Sequence, residues 1–420
     1  MTRYNSRWVT DGPPQTTRTT QRAALTHRSP SVAVVGGGVV GLTSALELVR
    51  RGWRIHLIDP TPVPRSLAAS TDISKVVRPD YGPDEIYVDM AEAAIAGWHE
   101  WNTRWTPPVY HPDGFLLLSR DPMRPGGFEH ESYTLLRHRH HPVERLDSRT
   151  RGDRFPAWTP DRYPDGYFNP NAGWAESGRV VERLTADARA SGVELLEGTP
   201  VARLLEKGSR TTGVALANGE AIEADVILVT AGAWTPTLLP HLEDVMWATG
   251  QPVIHFKVDD PDRWSAPKFP VWAADIARTG WYGFPALADG TLKIGQHGVG
   301  RRVHPEDART VTSEEIERFR MFLAENLPAL ADAPVKANRL CLYCDTFDGN
   351  FWIDHDPARP GLVVAAGDSG HAFKFAPMLG AMIADVVERK PNRWAPAFRW
   401  RERLKDSKEA ARALDDQRRA

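Results

Sequence analysis

The feature that most constrains the fold is a glycine-rich turn at residues 36–41, between a short apolar run and an amphipathic segment. Val32–Val35 is the β-branched run expected of a buried strand, and apolar residues then recur at helical spacing from Val40 to Val49. A second strand, RIHLID, follows and ends at Asp59. The sequence therefore predicts a βαβ unit of a parallel, Rossmann-like sheet.

The turn has the spacing G-x-G-x-x-G, which suits a bound dinucleotide. Gly36 allows the tight turn, Gly38 lets a pyrophosphate approach the backbone, and Gly41 lets helix and strand pack closely. The phosphates then meet free N–H groups at the helix N-terminus, and Asp59 accepts ribose hydroxyls. A glycine-rich turn of another α/β protein is the competing interpretation. The motif alone does not distinguish FAD from NAD.

Two later segments favour FAD. ADVILVTAGAW is an apolar strand that ends in small residues, and GLVVAAGDSGH predicts a strand and a glycine turn before a helix with Pro377 near its N-terminus. That helix N-terminus can lie against the flavin pyrimidine ring, where reduction deposits negative charge. Nucleotide-binding segments in the first, middle and last parts of the chain predict a discontinuous domain.

The expected fold class is mixed α/β (α+β): a Rossmann-like FAD-binding domain with an inserted, mainly antiparallel-sheet substrate domain. Helices are expected at about Pro79–Trp105 and at Ser313–Asn326. The predicted divisions are a flexible N-terminal tail (1–30), the FAD-binding domain (31–106, 172–245 and 346–395), the substrate domain (107–171 and 246–345), and a charged C-terminal helix or tail (396–420) that needs no partner.

Composition excludes several classes of function. The 420 residues are 41% apolar and 25% charged with a net charge of -2, so nothing favours nucleic acid or an anionic membrane surface as a partner. No apolar run is long enough to span a bilayer. Two cysteines suit a reducing compartment, and the first thirty residues lack the apolar region of a secretion signal. We expect a cytoplasmic protein.

The two cysteines, Cys341 and Cys344, form a C-x-x-C pair in the stretch NRLCLYCDTFDG. A redox disulfide, half of a zinc site, two separate thiols and a thiol bonded to a cofactor are the alternatives. A zinc site needs further ligands, and a redox C-x-x-C belongs at a helix start rather than in a strand-like run. The histidines of HRHH, at 138, 140 and 141, have no carboxylate or thiol spaced to complete a metal site. We expect no metal.

Five ordered motifs resemble the monomeric sarcosine oxidase group of FAD-dependent amine oxidases, which includes N-methyltryptophan, pipecolate and fructosyl amino acid oxidases. The motifs are GGGVVGL with Asp59, STDISKVVRPDYG, GWYGFP with TLKIGQHG, LCLYCDT and GDSGHAFKFAP. The resemblance runs from about residue 31 to about residue 390.

The resemblance implies FAD joined covalently to the sulfur of Cys341. The other residues that it implies for the cofactor are Gly36, Gly38, Val39, Val40, Gly41, Asp59, Lys75, Val201, Gly232, Gly367, Asp368, Gly370, His371 and Lys374.

The resemblance also implies a set of catalytic and substrate-binding residues. Lys293 would lie beside flavin N5 and activate oxygen through its positive charge. His297, Tyr343 and Lys75 complete the implied catalytic group. The residues implied to bind the substrate are Arg78 and Lys374, as carboxylate ligands, and Trp281, at the position of a pocket tyrosine in sarcosine oxidases.

Departures from the family pattern affect the expected substrate. Lys75 and Asp368 resemble the fructosyl amino acid oxidases, whereas His297 stands where that branch has a glutamate. We therefore expect neither sarcosine nor a fructosyl amino acid, but another secondary (N-substituted or cyclic) α-amino acid, oxidised by O2 to an imine and H2O2 by a monomeric enzyme. The alternatives are a fructosyl amino acid oxidase, a dehydrogenase with another electron acceptor, and a non-catalytic nucleotide-binding module.

Overall fold

The computed structural model of the protein describes residues 29–403 and residue 412. The tail expected at residues 1–30 lies outside these residues except for its last two positions, and so does most of the expected C-terminal tail. The strands are β1 Ser31–Val35, β2 Arg54–Asp59, β3 Lys75–Val77, β4 Tyr110–His111, β5 Phe115–Ser119, β6 Glu144–Arg145, β7 Asp165–Asn169, β8 Gly173–Ala175, β9 Glu194–Glu197, β10 Val201–Lys207, β11 Arg210–Leu216, β12 Ala221–Glu223, β13 Val226–Val229, β14 Met246–Lys257, β15 Val271–Ala274, β16 Trp281–Gly283, β17 Thr291–Gln296, β18 Arg301–Arg302, β19 Val335–Thr346, β20 Trp352–His355 and β21 Leu362–Ala366. The helices are α1 Val39–Arg50, α2 Glu85–Arg104, α3 Phe128–His138, α4 Ser148–Arg154, α5 Ser177–Ala190, α6 Thr235–Leu238, α7 Ile276–Thr279, α8 Ser313–Asn326 and α9 Ala376–Val387.

The first sheet is the predicted Rossmann-like sheet. Its strand order is β20-β21-β13-β1-β2-β9, and every neighbouring pair is parallel except β20 with β21. All five residues of β1 are buried, as expected of a strand covered on both faces. Helix α1 packs against α5 and α9. The predicted βαβ unit is therefore present, and the sheet also takes strands from the middle and last parts of the chain.

The largest sheet is mainly antiparallel. Strand β14 pairs with both β17 and β19, and β17 continues through β16 and β15 to β5, β7 and β6. One face packs on α8 through Leu292, Ile294 and Phe319 in an apolar core. The opposite face carries Lys293 and Cys341, which the sequence assigns to the active site. The division of the chain into the two domains given above stays a prediction.

The expected helix at 79–105 is shorter than predicted, because α2 begins at Glu85. The Asp84 side chain accepts a hydrogen bond from the backbone N–H of Tyr87 and so caps the helix. Helical spacing predicts Ile86 on the buried face of this helix, but Ile86 is 46% exposed. Tyr87 lies on the buried face instead. The expected helix at Ser313–Asn326 is confirmed, with a capping box between Thr312 and Glu315.

The crossing of α1 and α9 gives a test of the fold. A Cβ atom on Gly380 would lie 2.4 Å from the carbonyl oxygen of Thr43, so the helices meet backbone to backbone. We expect Gly380→Ala to lower the free energy of unfolding by about 1–3 kcal/mol in denaturant titrations, because the helices must separate.

The matched control is Gly152→Ala in α4, where an added Cβ meets nothing within 4 Å. That variant should be more stable by about 0.5–1 kcal/mol, because alanine loses less backbone entropy than glycine on forming a helix. Equal effects of the two substitutions would contradict the close crossing of α1 and α9.

Candidate active site

A cavity of about 860 Å³ lies at the carboxyl ends of β1, β2 and β13. Ligands of open α/β sheets bind at this end of the strands. The sequence-predicted cofactor residues that line the cavity are Gly36, Gly38, Val39, Val40, Asp59, Val201, Gly232 and Asp368.

The glycine turn has the geometry that a dinucleotide requires. Gly36 has a φ of 114°, and a Cβ on Gly41 would lie 2.0 Å from the carbonyl oxygen of Gly36. Gly38 is the N-cap residue of α1, and no side-chain hydrogen bond caps the helix there. The carboxylate of Asp59, at the end of β2, accepts a hydrogen bond of 2.9 Å from the N–H of Gly37. Backbone donors, a helix N-terminus and an acid therefore converge as FAD needs.

The turn after β21 brings the predicted residues 367–371 against Tyr343. Gly370 has a φ of 80°, and a Cβ there would lie 2.3 Å from the Tyr343 ring. The Asp368 carboxylate accepts a 2.8 Å hydrogen bond from the N–H of Cys344. Burial raises the pKa of Asp368 to about 6. Gly367 also has a positive φ, of 67°, so this turn needs glycine at two positions.

Lys293 is fully buried on the face of β17 that looks toward β3. Its Nζ lies 2.5 Å from a carboxylate oxygen of Asp72, and it donates a 2.6 Å hydrogen bond to the carbonyl oxygen of Ser74. Nζ also lies 4.7 Å from the ring centre of Phe284. Burial lowers the pKa of Lys293 to about 8, although Asp72 opposes that effect.

Tyr343 and His297 lie together on the same sheet face as this lysine. Nδ1 of His297 is 3.3 Å from the Tyr343 hydroxyl, and burial raises the pKa of Tyr343 well above its usual value. Tyr282 also belongs here, because its register partner on β17 is Gly295, on the same face as Lys293. A Cβ on Gly295 would lie 2.5 Å from the Tyr282 hydroxyl. The sequence analysis did not identify Tyr282 as a site residue.

The assignment of Trp281 to the substrate site is wrong in this structure. Trp281 points to the opposite face of β16, where its ring stacks on Phe322 at 4.3 Å and meets Phe319 edge-on at 4.8 Å. Because successive side chains alternate across a strand, the neighbour Tyr282 takes the face that the motif assigned to Trp281. The alternating pattern of the neighbouring strand β17, in which Leu292 and Ile294 form the core face, could have indicated this orientation of Trp281.

The two cysteines are free thiols, and they lie on opposite faces of β19 in separate clusters, as a spacing of three residues gives in a strand. Sγ of Cys341 accepts a hydrogen bond from Nζ of Lys75 at 3.9 Å, and Cys341 packs with Tyr343. Sγ of Cys344 lies 4.0 Å from the sulfur of Met246 in a separate core, and burial raises the pKa of its thiol. Within residues 29–403 and 412, no group of three acidic, cysteine or histidine side chains is placed to hold a metal ion.

Arg78 and Lys374, the predicted carboxylate ligands, meet at the ring of Tyr81. Cζ of Arg78 is 5.4 Å and Nζ of Lys374 is 4.9 Å from its centre. Lys374 also donates a 2.7 Å hydrogen bond to the Tyr81 hydroxyl. His371 lies in the same group, with Nδ1 3.1 Å from that hydroxyl and Nε2 3.1 Å from the carbonyl oxygen of Gly349. Arg78, Lys374 and His371 are buried.

Arg412 reaches the same site from the C-terminal segment. Its guanidinium donates a 2.8 Å hydrogen bond to Asp345, and its Cζ lies 5.4 Å from the ring centre of Tyr343. The side chain is buried. The expectation that the last residues are only a solvated tail is therefore wrong for this position, because a buried ion pair holds it. Nothing in the spacing of the charged tail distinguishes this arginine from its neighbours.

Fold and site together define an FAD-dependent oxidoreductase. The family model described as DAO, FAD dependent oxidoreductase, matches residues 31–386, and the chain belongs to this family. The sequence-based assignment to FAD-dependent oxidases is confirmed at this level. Within the part of the chain that the structure describes, no helix is long and apolar enough to cross a membrane.

The chain is also similar to several proteins whose activity is named. The chain is 27% identical over 362 residues to a monomeric sarcosine oxidase of Bacillus sp. (strain B-0618), which covers 85% of this chain and 91% of the relative. It is 30% identical to the L-saccharopine oxidase of Schizosaccharomyces pombe (89% and 94% covered). It is also 30% identical to the N-methyl-L-tryptophan oxidase of Salmonella typhi (84% and 93% covered).

A solved structure agrees with the fold. Fructosamine oxidase (Amadoriase II) from Aspergillus fumigatus, a deglycating enzyme in complex with FSA, superposes with a TM-score of 0.77 at 26% identity. The match covers 93% of this chain and 96% of that chain. The predicted fold class is thereby confirmed.

The opposite orientations of Trp281 and Tyr282 can be tested by one substitution at each position. We expect Trp281→Ala to lower the free energy of unfolding by about 3–5 kcal/mol, because it opens a cavity beside α8, and to leave KM for the amine substrate unchanged. Tyr282→Phe should cost about 1 kcal/mol and change KM, because it removes a hydroxyl at the site. Denaturant titration and saturation kinetics measure the two effects. A changed KM with unchanged stability for Trp281→Ala would contradict the assignment.

Proposed function

We propose that the protein oxidises a secondary α-amino acid, N-substituted or cyclic, with O2 as electron acceptor, and forms an imine and H2O2. The relatives are named for sarcosine, L-saccharopine and N-methyl-L-tryptophan, and the solved structure is a fructosamine oxidase. These compounds are all secondary amines. That shared feature supports the substrate class, and it does not select one member.

The observation that carries the proposal is the state of Arg78. Its guanidinium is buried, and Nη1 has no hydrogen-bond partner among the residues that the structure describes. Leaving a buried charged donor unpaired is costly, so such a group is stabilised when an anion arrives. A carboxylate is the anion that matches the planar guanidinium fork. Lys374, whose Nζ lies 4.9 Å from the centre of the Tyr81 ring, supplies a second cation.

The chain's own residues then act on both substrates. Bound FAD would supply the redox chemistry between the amine substrate and O2. Arg78 and Lys374 hold the carboxylate and so fix the amine end toward Tyr343 and His297. Lys293 supplies a buried positive charge where oxygen is reduced, and burial strengthens its effect on a developing anion. Lys75 holds its cation next to Cys341.

Deglycation of a fructosyl amino acid is the second candidate. The likeness to fructosamine oxidase favours it, as do Lys75 and Asp368, which match that branch at two positions of the motifs. His297 opposes it, because that branch has a glutamate there. A substrate panel separates the two candidates.

The experiment is H2O2 release by the purified, FAD-loaded protein, measured with a peroxidase-coupled dye. The panel contains sarcosine, N-methyl-L-tryptophan, pipecolate, saccharopine, fructosyl-valine and the corresponding primary amino acids. We expect at least one secondary amino acid to be oxidised and its primary counterpart to react far more slowly. Arg78→Met should raise KM for that substrate about 10–100-fold, because a charge-assisted pair is lost, and should abolish the preference over the carboxamide analogue.

Arg151→Met is the matched control. Arg151 is also a buried arginine whose Nη1 has no hydrogen-bond partner among the described residues, but its Nε donates to the carbonyl oxygen of Tyr163 and it lies outside the site. Arg151→Met should lower the free energy of unfolding without a change in KM. If no panel member reduces the flavin anaerobically, the proposed substrate class is wrong. If flavin is reduced but air does not reoxidise it, the protein is a dehydrogenase.

Covalent attachment of FAD through Cys341 is part of the proposal. Cys341 is a buried thiol that packs with Ala69, which lines the cofactor cavity, and accepts a hydrogen bond from Lys75. We expect the wild-type protein precipitated with trichloroacetic acid to stay yellow. Cys341→Ser should release the colour into the supernatant, whereas Cys344→Ser, on the other face of β19, should not. Colour lost from the wild type would mean that no covalent bond exists.

The monomeric state and the cytoplasmic location stay predictions. The first rests on the named monomeric relative, and the second on the scarcity of cysteine.

A further inference from the structure

Asp72 is a buried carboxylate that the motif comparison assigned no role. Its side chain is fully buried, one oxygen lies 2.5 Å from Nζ of Lys293, and the other lies 3.2 Å from Nε2 of His255. Burial opposes the ionisation of Asp72. The charge of Lys293 and the hydrogen bond from His255 nevertheless hold its pKa well below the usual value. Asp72 is therefore an anion inside the site.

The strand register explains why one carboxylate reaches both partners. His255 on β14 and Lys293 on β17 are directly opposite each other across the antiparallel pair, where Cβ atoms lie about 4.5–5.5 Å apart. Asp72 precedes β3 and covers this pair from above the sheet face. One carboxylate oxygen of Asp72 contacts Lys293, and the other contacts His255. The three side chains therefore form one unit that the sheet register aligns.

A lysine in this position would not stay charged by itself. Complete burial favours the neutral amine, and fully buried lysines can lose their proton below neutral pH. The charged and titratable groups that face the Lys293–Asp72 unit are Lys75 on β3, His255 on β14, Tyr282 on β16, and Arg339 and Cys341 on β19. The charge of Lys75 lowers the pKa of Lys293. Asp72 raises that pKa and is the main group that favours the charged form of the lysine.

We propose that Asp72 is a positioning residue that keeps Lys293 protonated and aimed into the site, and that His255 holds Asp72 in place. The proposal deepens the proposed function, because the charge on Lys293 is what that function requires for oxygen reduction. The stability of the Lys293–Asp72 unit does not depend on turnover. The two statements can therefore fail separately.

A double-mutant cycle on stability tests the pairing. Asp72→Asn in the wild-type background leaves a buried lysine without its counter-charge, and the unfolding equilibrium constant should rise about 100-fold at pH 6. In the Lys293→Met background the same substitution should have at most a tenth of that effect, because no lysine charge remains for Asp72 to balance. Equal effects in both backgrounds would overturn the proposal.

The pH dependence of that stability tests the charge. Lys293 has a pKa of about 8 in the folded protein and about 10.5 when unfolded, so between these values the unfolded chain binds more protons. The contribution of Lys293 to stability therefore rises with pH across this window. In Asp72→Asn the window begins at a lower pH, because the group that favours the cation is gone. The deficit of Asp72→Asn relative to wild type should be greatest at pH 6 and shrink toward pH 9.

Asp165→Asn is the matched control for that experiment. Asp165 is another buried aspartate, paired at 2.6 Å with Arg145, whose charge does not change between pH 6 and 9. Its deficit should be the same across this range. A deficit of Asp72→Asn that is equally independent of pH would show a merely structural role and overturn the proposal.

Stopped-flow measurement of the two half-reactions tests the consequence for catalysis. In Asp72→Asn, reoxidation by O2 should slow at least tenfold at pH 8, whereas anaerobic reduction by the substrate should change less than threefold. Asp72→Glu should recover part of the reoxidation rate, and His255→Gln should have a smaller effect than Asp72→Asn. Equal slowing of both half-reactions would overturn the proposal. If no substrate is found, the stability cycle still decides whether Asp72 keeps Lys293 charged.

Discussion

The active site depends on the register of β14 with its two antiparallel neighbours. That register places His255 opposite Lys293 and Gln251 opposite Cys341, so one sheet face collects groups from β17 and β19. A shift of one residue would turn Lys293 into the apolar core and bring Leu292 to the site. The core on the other face, where Trp281 stacks on Phe322, opposes that shift. Packing on one side of the sheet thus determines chemistry on the other.

The surroundings of each buried lysine explain how the chain tolerates it. Among the described residues Lys293 and Lys374 are buried, and an isolated cation in such surroundings is unfavourable by about several kcal/mol. The protein uses a different partner for each one. Lys293 has a carboxylate, whereas Lys374 has the hydroxyl and ring of Tyr81. The first lysine pairs with an anion, and the second donates hydrogen bonds to the Tyr81 hydroxyl and to the carbonyl oxygen of His371.

Sequence reasoning identified the parts of the site that follow from local patterns. The glycine turn and Asp59 depend on neighbours in sequence, and the structure has both where expected. Trp281 was misassigned because a motif aligned by sequence does not say which face a strand residue takes. Tyr282 and Asp72 were missed because their roles depend on contacts with β17. Arg412 depends on a contact with Asp345, 67 residues away in the chain.

Two buried aspartates bear on the proposed binding of a carboxylate by Arg78. Asp72 already pairs with Lys293, at 2.5 Å. Asp80, close to Arg78 in sequence, instead accepts hydrogen bonds from Tyr167 at 2.6 Å and Asn169 at 3.2 Å, and burial raises its pKa. The nearby charge of Arg78 opposes that rise in the pKa of Asp80. Nη1 of Arg78 has no hydrogen-bond partner among the described residues, so this donor is left for a ligand. The carboxylate of an amino acid satisfies both the charge and the hydrogen-bonding demand at once.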